Sequence, residues 1–181
     1  MWGNYIRVIN LDGPPARPAR PAKDNHMDTV LYFSPGGVVY ETRAYSSADI
    51  AELVHDFGLE SLTSADRQFD FWFTPTTRRC RRKVNLSATE MLLATTRFTA
   101  KTVPLLRGGV VVATHDSAGE LDGLSCQQLD LLIQNSCTLT PRDDRVLSRR
   151  ITRDERRLRR NLVAADAGTG RSLGHRRMAR H

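Results

Sequence analysis

No stretch of this chain approaches the roughly 20 consecutive apolar residues that a membrane-spanning helix needs, so no span is expected. The N-terminus lacks the charged-then-apolar pattern of a secretory signal, because Met1-Trp2-Gly3-Asn4-Tyr5 runs straight into a strand-like segment. Cysteine is scarce: Cys80, Cys126 and Cys137 are odd in number and far apart. No pair has the short spacing of a zinc site, and a disulfide framework would need an even set. Buried or idle thiols in a reducing compartment fit these three positions, and the expected location is the cytoplasm.

The motifs of common chemistries are missing too. Gly36-Gly37 and Gly108-Gly109 lack the spacing of phosphate-cradling loops and read as turns. Glu41, Glu90 and Glu120 have no evident partner carboxylate of the kind that glycoside hydrolysis uses. His115-Asp116-Ser117 follows a buried-looking strand, a place where catalytic groups lie, but no second metal-ligand pair such as H-E-x-x-H accompanies it. No catalytic residue, metal or cofactor is therefore expected. An enzyme built on His115 remains the least favoured of three readings.

Lysine is nearly absent as well, with three (Lys23, Lys83, Lys101) against 24 arginines. The net charge of +7 is unevenly spread. Residues 142–181 hold 13 arginines and five acids (Asp143, Asp144, Asp154, Glu155, Asp166), while residues 1–141 are close to neutral. The basicity belongs to the last quarter of the chain.

With 181 residues, the chain suits one domain of ordinary size. Tyr5 to Leu11 reads as a strand, and residues 1–12 form an N-terminal strand segment. Residues 13–27 carry an Ala-Arg-Pro repeat whose prolines fix φ and remove donors, the mark of an extended linker or loop. Translation from Met1 and from Met27 are both compatible with this reading.

A compact domain over residues 28–139 follows. Thr29–Phe33 and Val38–Ala44 flank Ser34-Pro35-Gly36-Gly37 and predict a β-hairpin. Ser46 or Ser47 caps a helix with Ile50, Leu53, Val54 and Phe57 on one face, and Gly58 is placed to end it in a left-handed conformation. Phe69–Phe73 alternates as a half-buried strand would. Ser87 and Glu90 have capping-box spacing for a helix over Ala88–Ala94, and Val110–Thr114 reads as a buried strand. Ser125 with Gln128 opens a further helix whose buried stripe is Leu129, Leu132 and Ile133. The fold class expected is α+β, a small mixed or antiparallel sheet with about three short helices and a long basic C-terminal one.

That last helix occupies residues 140–166. Thr140 is its N-cap, Pro141 its first residue, and Asp143 and Asp144 sit beside its positive end. Leu147, Ile151, Leu158 and Leu162 line one side, and Arg149, Arg150, Arg153, Arg156, Arg157 and Arg160 take much of the rest. Residues 167–181 have no periodicity and are expected to be disordered.

YIRVINLDG, DIAELVHDFG, the Asn85-x-x-Ala88-Thr89 segment and Leu106-Arg107-Gly108-Gly109-Val110-Val111-Val112 resemble a family of small uncharacterised domains carried by actinobacterial phages, plasmids and their hosts. The resemblance covers about Tyr5 to Ile133 and implies a mobile-element or accessory context. It implies no activity and no site residues, and the proline-rich segment and basic helix lie outside its pattern.

The arginine row neutralises phosphates in the way nucleic-acid-binding helices do, and an acidic protein surface is the alternative partner. The helix's own acids argue the other way, since Asp154 can pair with Arg150 or Arg157, and Glu155 with Arg159. A second basic cluster, Arg78, Arg79, Arg81, Arg82 and Lys83, adjoins the aromatic strand Phe69–Phe73, where exposed rings would stack bases. The favoured reading is a non-enzymatic accessory protein whose domain engages a partner and whose helix contacts nucleic acid or an acidic surface. The second is a protein-interaction module that docks, or forms a homo-oligomer, through the Leu147/Ile151/Leu158/Leu162 stripe.

Overall fold

A computed structural model describes residues 6–10, 29–56, 58–75 and 83–170. Seven strands and four helices alternate along it: β1 (Ile6–Asn10), β2 (Thr29–Phe33), β3 (Val39–Arg43), α1 (Ser47–Val54), β4 (Gly58–Thr63), β5 (Asp70–Phe73), α2 (Leu86–Thr95), β6 (Val110–His115), β7 (Leu121–Asp122), α3 (Cys126–Ser136) and α4 (Pro141–Gly170). The class is α+β.

Six strands form one sheet in the order β1-β4-β5-β6-β2-β3, and the two-residue β7 pairs with the end of β6. Every pairing is antiparallel. Because side chains alternate across a strand, the central strands feed two separate cores. Phe33, Phe71, Phe73, Val110 and Val112 meet α2, α3 and α4 on one face. Tyr32, Trp72, Val111 and Ala113 meet Ile50, Ala51 and Val54 of α1 on the other. The sheet is thus the middle of three layers, and β5 and β6 are buried on both sides.

That double burial corrects the reading of Phe69–Phe73 as half-buried. Phe69, Phe71, Trp72 and Phe73 are all core, which leaves no face of rings for bases to stack on. Strand β4 was not evident in the sequence, because Glu60 and Ser61 interrupt its apolar pattern although both are buried. α1 is capped by Ser46 and ends at Val54, and its left-handed residue is His55 (φ 57°) instead of Gly58. The chain must turn early there, since Gly58 already pairs with Asn10 at the start of β4. Phe57 lies outside the described residues.

The cap of α2 also differs from expectation. Asn85, not Ser87, is the N-cap, and its Oδ1 accepts from the Ala88 N–H at 3.1 Å. Its Nδ2 donates to the carbonyls of Phe33 (3.0 Å), Ser34 (3.0 Å) and Gly108 (2.8 Å), tying α2 to the β2–β3 turn and to the entry of β6. The capping box of α3 is formed as expected, with the Ser125 hydroxyl accepting from Gln128 N–H at 3.3 Å and the Ser125 N–H donating to Gln128 Oε1 at 2.9 Å. Its buried face centres on Leu132 with Leu129 and Leu131 alongside, so Ile133 faces out.

The proline-rich residues 13–27 and the tail from 171 onward lie outside the described residues. Residues 167–170, expected to be disordered, continue α4. No helix among the described residues is long and apolar enough to cross a membrane.

Candidate nucleic-acid interface

α4 is 30 residues long, about 45 Å at 1.5 Å per residue. Its start is fixed locally: the Thr140 hydroxyl donates to Asp143 Oδ2 at 2.7 Å and accepts from the Asp143 N–H at 3.2 Å. Its first half belongs to the domain, with Leu147 fully buried and Val146 and Ile151 packed against the same core. The leucine stripe is therefore engaged intramolecularly at its N-terminal end. Leu158 is half-buried, and the side chain of Leu162 lies outside those described.

Two side chains anchor the middle of the helix. Arg150 donates from Nη1 to the carbonyl of Ala100 (2.8 Å) and from Nη2 to that of Val103 (2.9 Å). Burial pushes its guanidinium below the usual arginine value, and Asp154 opposes that shift. Asp154 itself accepts from Nη2 of Arg107, on the loop before β6. Arg150 is accordingly a structural clamp, and it leaves the set of arginines available to a ligand.

The opposite face is cationic. Arg142, Arg145, Arg149, Arg153, Arg156 and Arg160 follow at steps of three or four residues and are all exposed, with Arg157 beside them. Such spacing keeps them on one side of the helix over about 27 Å. Arg142 and Arg145, which the sequence reading passed over, extend this row to the helix start. Arg145 also donates from Nε to the Pro141 carbonyl at 3.0 Å. From Arg159 to Ala164 every described side chain is exposed, as expected of a helix leaving the body of the domain.

Three acids of the helix are engaged elsewhere than on this row. Asp143 is engaged by Thr140, Asp144 accepts from Ser148 Oγ at 3.4 Å, and Asp154 is turned to Arg107. Among the described residues, no arginine of the row is ion-paired with an acid of the helix. The expected pairings of Asp154 with Arg150 or Arg157, and of Glu155 with Arg159, are not formed. A partly buried partner 47 residues away holds Asp154 instead.

The second basic cluster gives less. Lys83 is exposed, while Arg78, Arg79, Arg81 and Arg82 lie outside the described residues. The carboxylates collect elsewhere, where Glu90, Asp143 and Asp144 line an open cavity of about 270 Å³ between α2 and the start of α4. Burial raises the Glu90 carboxyl above its ordinary value, and Asp144 raises it further.

His115 is neither free nor paired with its neighbour Asp116. Its Nδ1 lies 2.6 Å from Oδ2 of Asp70 on the adjacent strand, and Asp70 Oδ1 accepts from the Thr63 hydroxyl at 2.6 Å. Asp70 is buried and the imidazole is about one-third exposed. This orients the ring, as carboxylate–imidazole pairs do. Asp116 organises the β6–β7 turn instead, accepting from the N–H groups of Ala118 and Glu120. Among the described residues no cluster of three metal-ligating side chains occurs. Cys126 and Cys137 are exposed free thiols, and Cys80 lies outside the described residues.

Comparison with known protein families, with curated proteins and with solved structures finds no match.

Proposed function

We propose that this protein is a non-enzymatic accessory protein that binds nucleic acid through α4. The exposed row Arg142–Arg160 contacts the phosphate backbone while the opposite face of the helix stays docked on the domain. The observation that carries this reading is that no arginine of the row is ion-paired among the described residues, while Asp143 and Asp154 are held by Thr140 and Arg107, so the row's charge is left for a polyanion. Phosphate neutralisation releases counterions and needs no base-reading side chains, so the contact is expected to be largely independent of sequence. The resemblance noted in the sequence supports a mobile-element setting for such an activity.

A salt titration of fluorescence anisotropy with a labelled DNA duplex tests it. The logarithm of the affinity falls with the logarithm of salt by about 0.9 per phosphate neutralised. The quadruple variant Arg149→Gln, Arg153→Gln, Arg156→Gln, Arg160→Gln should therefore bind more weakly and lose about 3.6 units of that slope. Deleting the helix is the poorer test, because it would strip Leu147 from the core. Equal binding by the variant and the native chain, or none by the native chain, overturns the proposal.

A further inference from the structure

Among the described residues, strand β3 is an edge of the sheet and pairs only with β2. Unprotected edges pair with further strands, and sheets usually blunt them with proline, bulges or inward charge. Residues 38–45 contain no proline or glycine, and four of the seven large exposed hydrophobics described fall here: Val38, Val39, Tyr40 and Tyr45. Tyr40 packs edge-on against Tyr32 (5.2 Å between centroids) and still leaves nearly half its surface in solvent.

The hydrogen-bond phase of the edge is known. Ser34 N–H donates to the Val38 carbonyl at 2.8 Å, so residues 38, 40 and 42 direct their backbone groups at β2. Residues 39, 41 and 43 then direct theirs outward. Tyr45, next in that phase, already donates its N–H to Asp49 Oδ2 at 2.8 Å, which closes the free stretch at its C-terminal end.

We infer that β3 is a self-complementary docking edge, on which a second copy of this chain adds its own β3 antiparallel about a two-fold axis at Thr42. The charges select that register. Centred on Thr42, Glu41 lies opposite the partner's Arg43 and Arg43 opposite the partner's Glu41, in hydrogen-bonded pairs on one face. A shift of the centre to residue 41 would oppose two glutamates, and a shift to residue 43 would oppose two arginines. The same register carries Val39 and Tyr40 toward the segment just beyond the C-terminal end of the partner's β3, where the exposed Tyr45 lies. An antiparallel edge pairing relates the copies by a two-fold perpendicular to the sheet. Both copies therefore present α2, α3 and α4 on the same side of a continuous sheet.

Sedimentation equilibrium on the full chain at micromolar concentrations tests this, with three charge variants. The native chain should dimerise. Glu41→Arg alone and Arg43→Glu alone each place like charges opposite one another twice and should weaken the dimer by about tenfold or more. The double variant Glu41→Arg, Arg43→Glu restores opposite signs in this register and should recover native affinity. Thermal unfolding of each variant shows whether it is folded. As a register-specific readout, Thr42→Cys in a background with Cys80, Cys126 and Cys137 changed to Ser should oxidise to a covalent dimer. Residues at the axis form a non-hydrogen-bonded pair about 4.5 Å apart at Cα, within disulfide reach. A monomeric native chain, single variants that dimerise like the native chain, a double variant that fails to recover, or no cross-link at position 42 each overturns the inference.

Discussion

Asp154 of α4 is ion-paired with Arg107, 47 residues earlier, and not with any arginine of its own helix. The pair joins the long helix to the loop that feeds β6, next to the point where Arg150 grips the carbonyls of Ala100 and Val103. Both contacts hold α4 in one rotation about its axis, which fixes which arginines face out.

The first prediction concerns that pair. Both side chains are partly shielded from solvent, so the interaction exceeds the few tenths of a kcal/mol usual for surface pairs. Asp154→Ala should destabilise the chain by about 1–2 kcal/mol, and a double-mutant cycle with Arg107→Ala should give a coupling of about 0.5–2 kcal/mol. Chemical denaturation of the four proteins measures it, and additive single effects would show that the pair contributes nothing.

The second prediction rests on Asn85. It caps α2 and donates to three carbonyls from a fully buried position. Asn85→Ala removes the cap and strands buried acceptors, a loss of roughly 2–4 kcal/mol. Asn85→Asp keeps the capping acceptor but has nothing to donate at neutral pH. It should be at least as damaging as Ala there, and should recover on acidification, when a protonated carboxyl can donate again. Thermal melts of both variants at neutral and acid pH distinguish the two roles of the side chain.

What the sequence disclosed follows a physical divide. The capping box at Ser125 and Gln128 was legible because both halves lie within one turn, and the β2–β3 hairpin because its turn chemistry is local. Ser87 had the same local credentials and lost to Asn85, whose side chain is held by carbonyls 23 and more residues away. Strand β4 was hidden because Glu60 and Ser61 are buried among its partners, a tertiary outcome without a periodic signature. The candidate interface divides in the same way. The number and helical spacing of the arginines are plain in the sequence, and the exposed row keeps that spacing. That Arg150 is a clamp, and that Asp154 faces Arg107, depends on a loop distant in the chain.

The third prediction tests close packing at the entry of β6. A Cβ added at Gly109 would lie 2.8 Å from the Tyr32 hydroxyl oxygen and 3.0 Å from its ring. Tyr32 is buried, so it can yield only by disturbing its contact with Tyr40 on β3. Gly109→Ala should cost about 1–3 kcal/mol, as overpacked sites do. In a Tyr32→Phe background the closest contact is gone, and the same substitution should cost measurably less. Equal penalties in the two backgrounds would place the strain elsewhere.

The fourth prediction is a pH dependence. Burial, and secondarily Asp144, raise the Glu90 carboxyl above its ordinary value in the cavity between α2 and α4. Between the unfolded and folded values the native state binds more protons than the unfolded one, so Glu90 makes stability fall as pH rises through that window. Above the window the penalty is complete, and below the ordinary carboxylate range it is absent. Glu90→Gln should therefore stabilise the protein at neutral pH and make no difference in acid. Because the group is only partly buried, solvent screening keeps the gain under about 1 kcal/mol, a rise in melting temperature of about 2–4 °C at most. Asp144→Asn should give a smaller gain with the same sign, since its repulsion is the lesser cause. Melting curves of the two variants and the native chain across the acid range check the sign. A variant destabilised at neutral pH would mean that the Glu90 carboxylate helps hold α4 against α2 instead of opposing it.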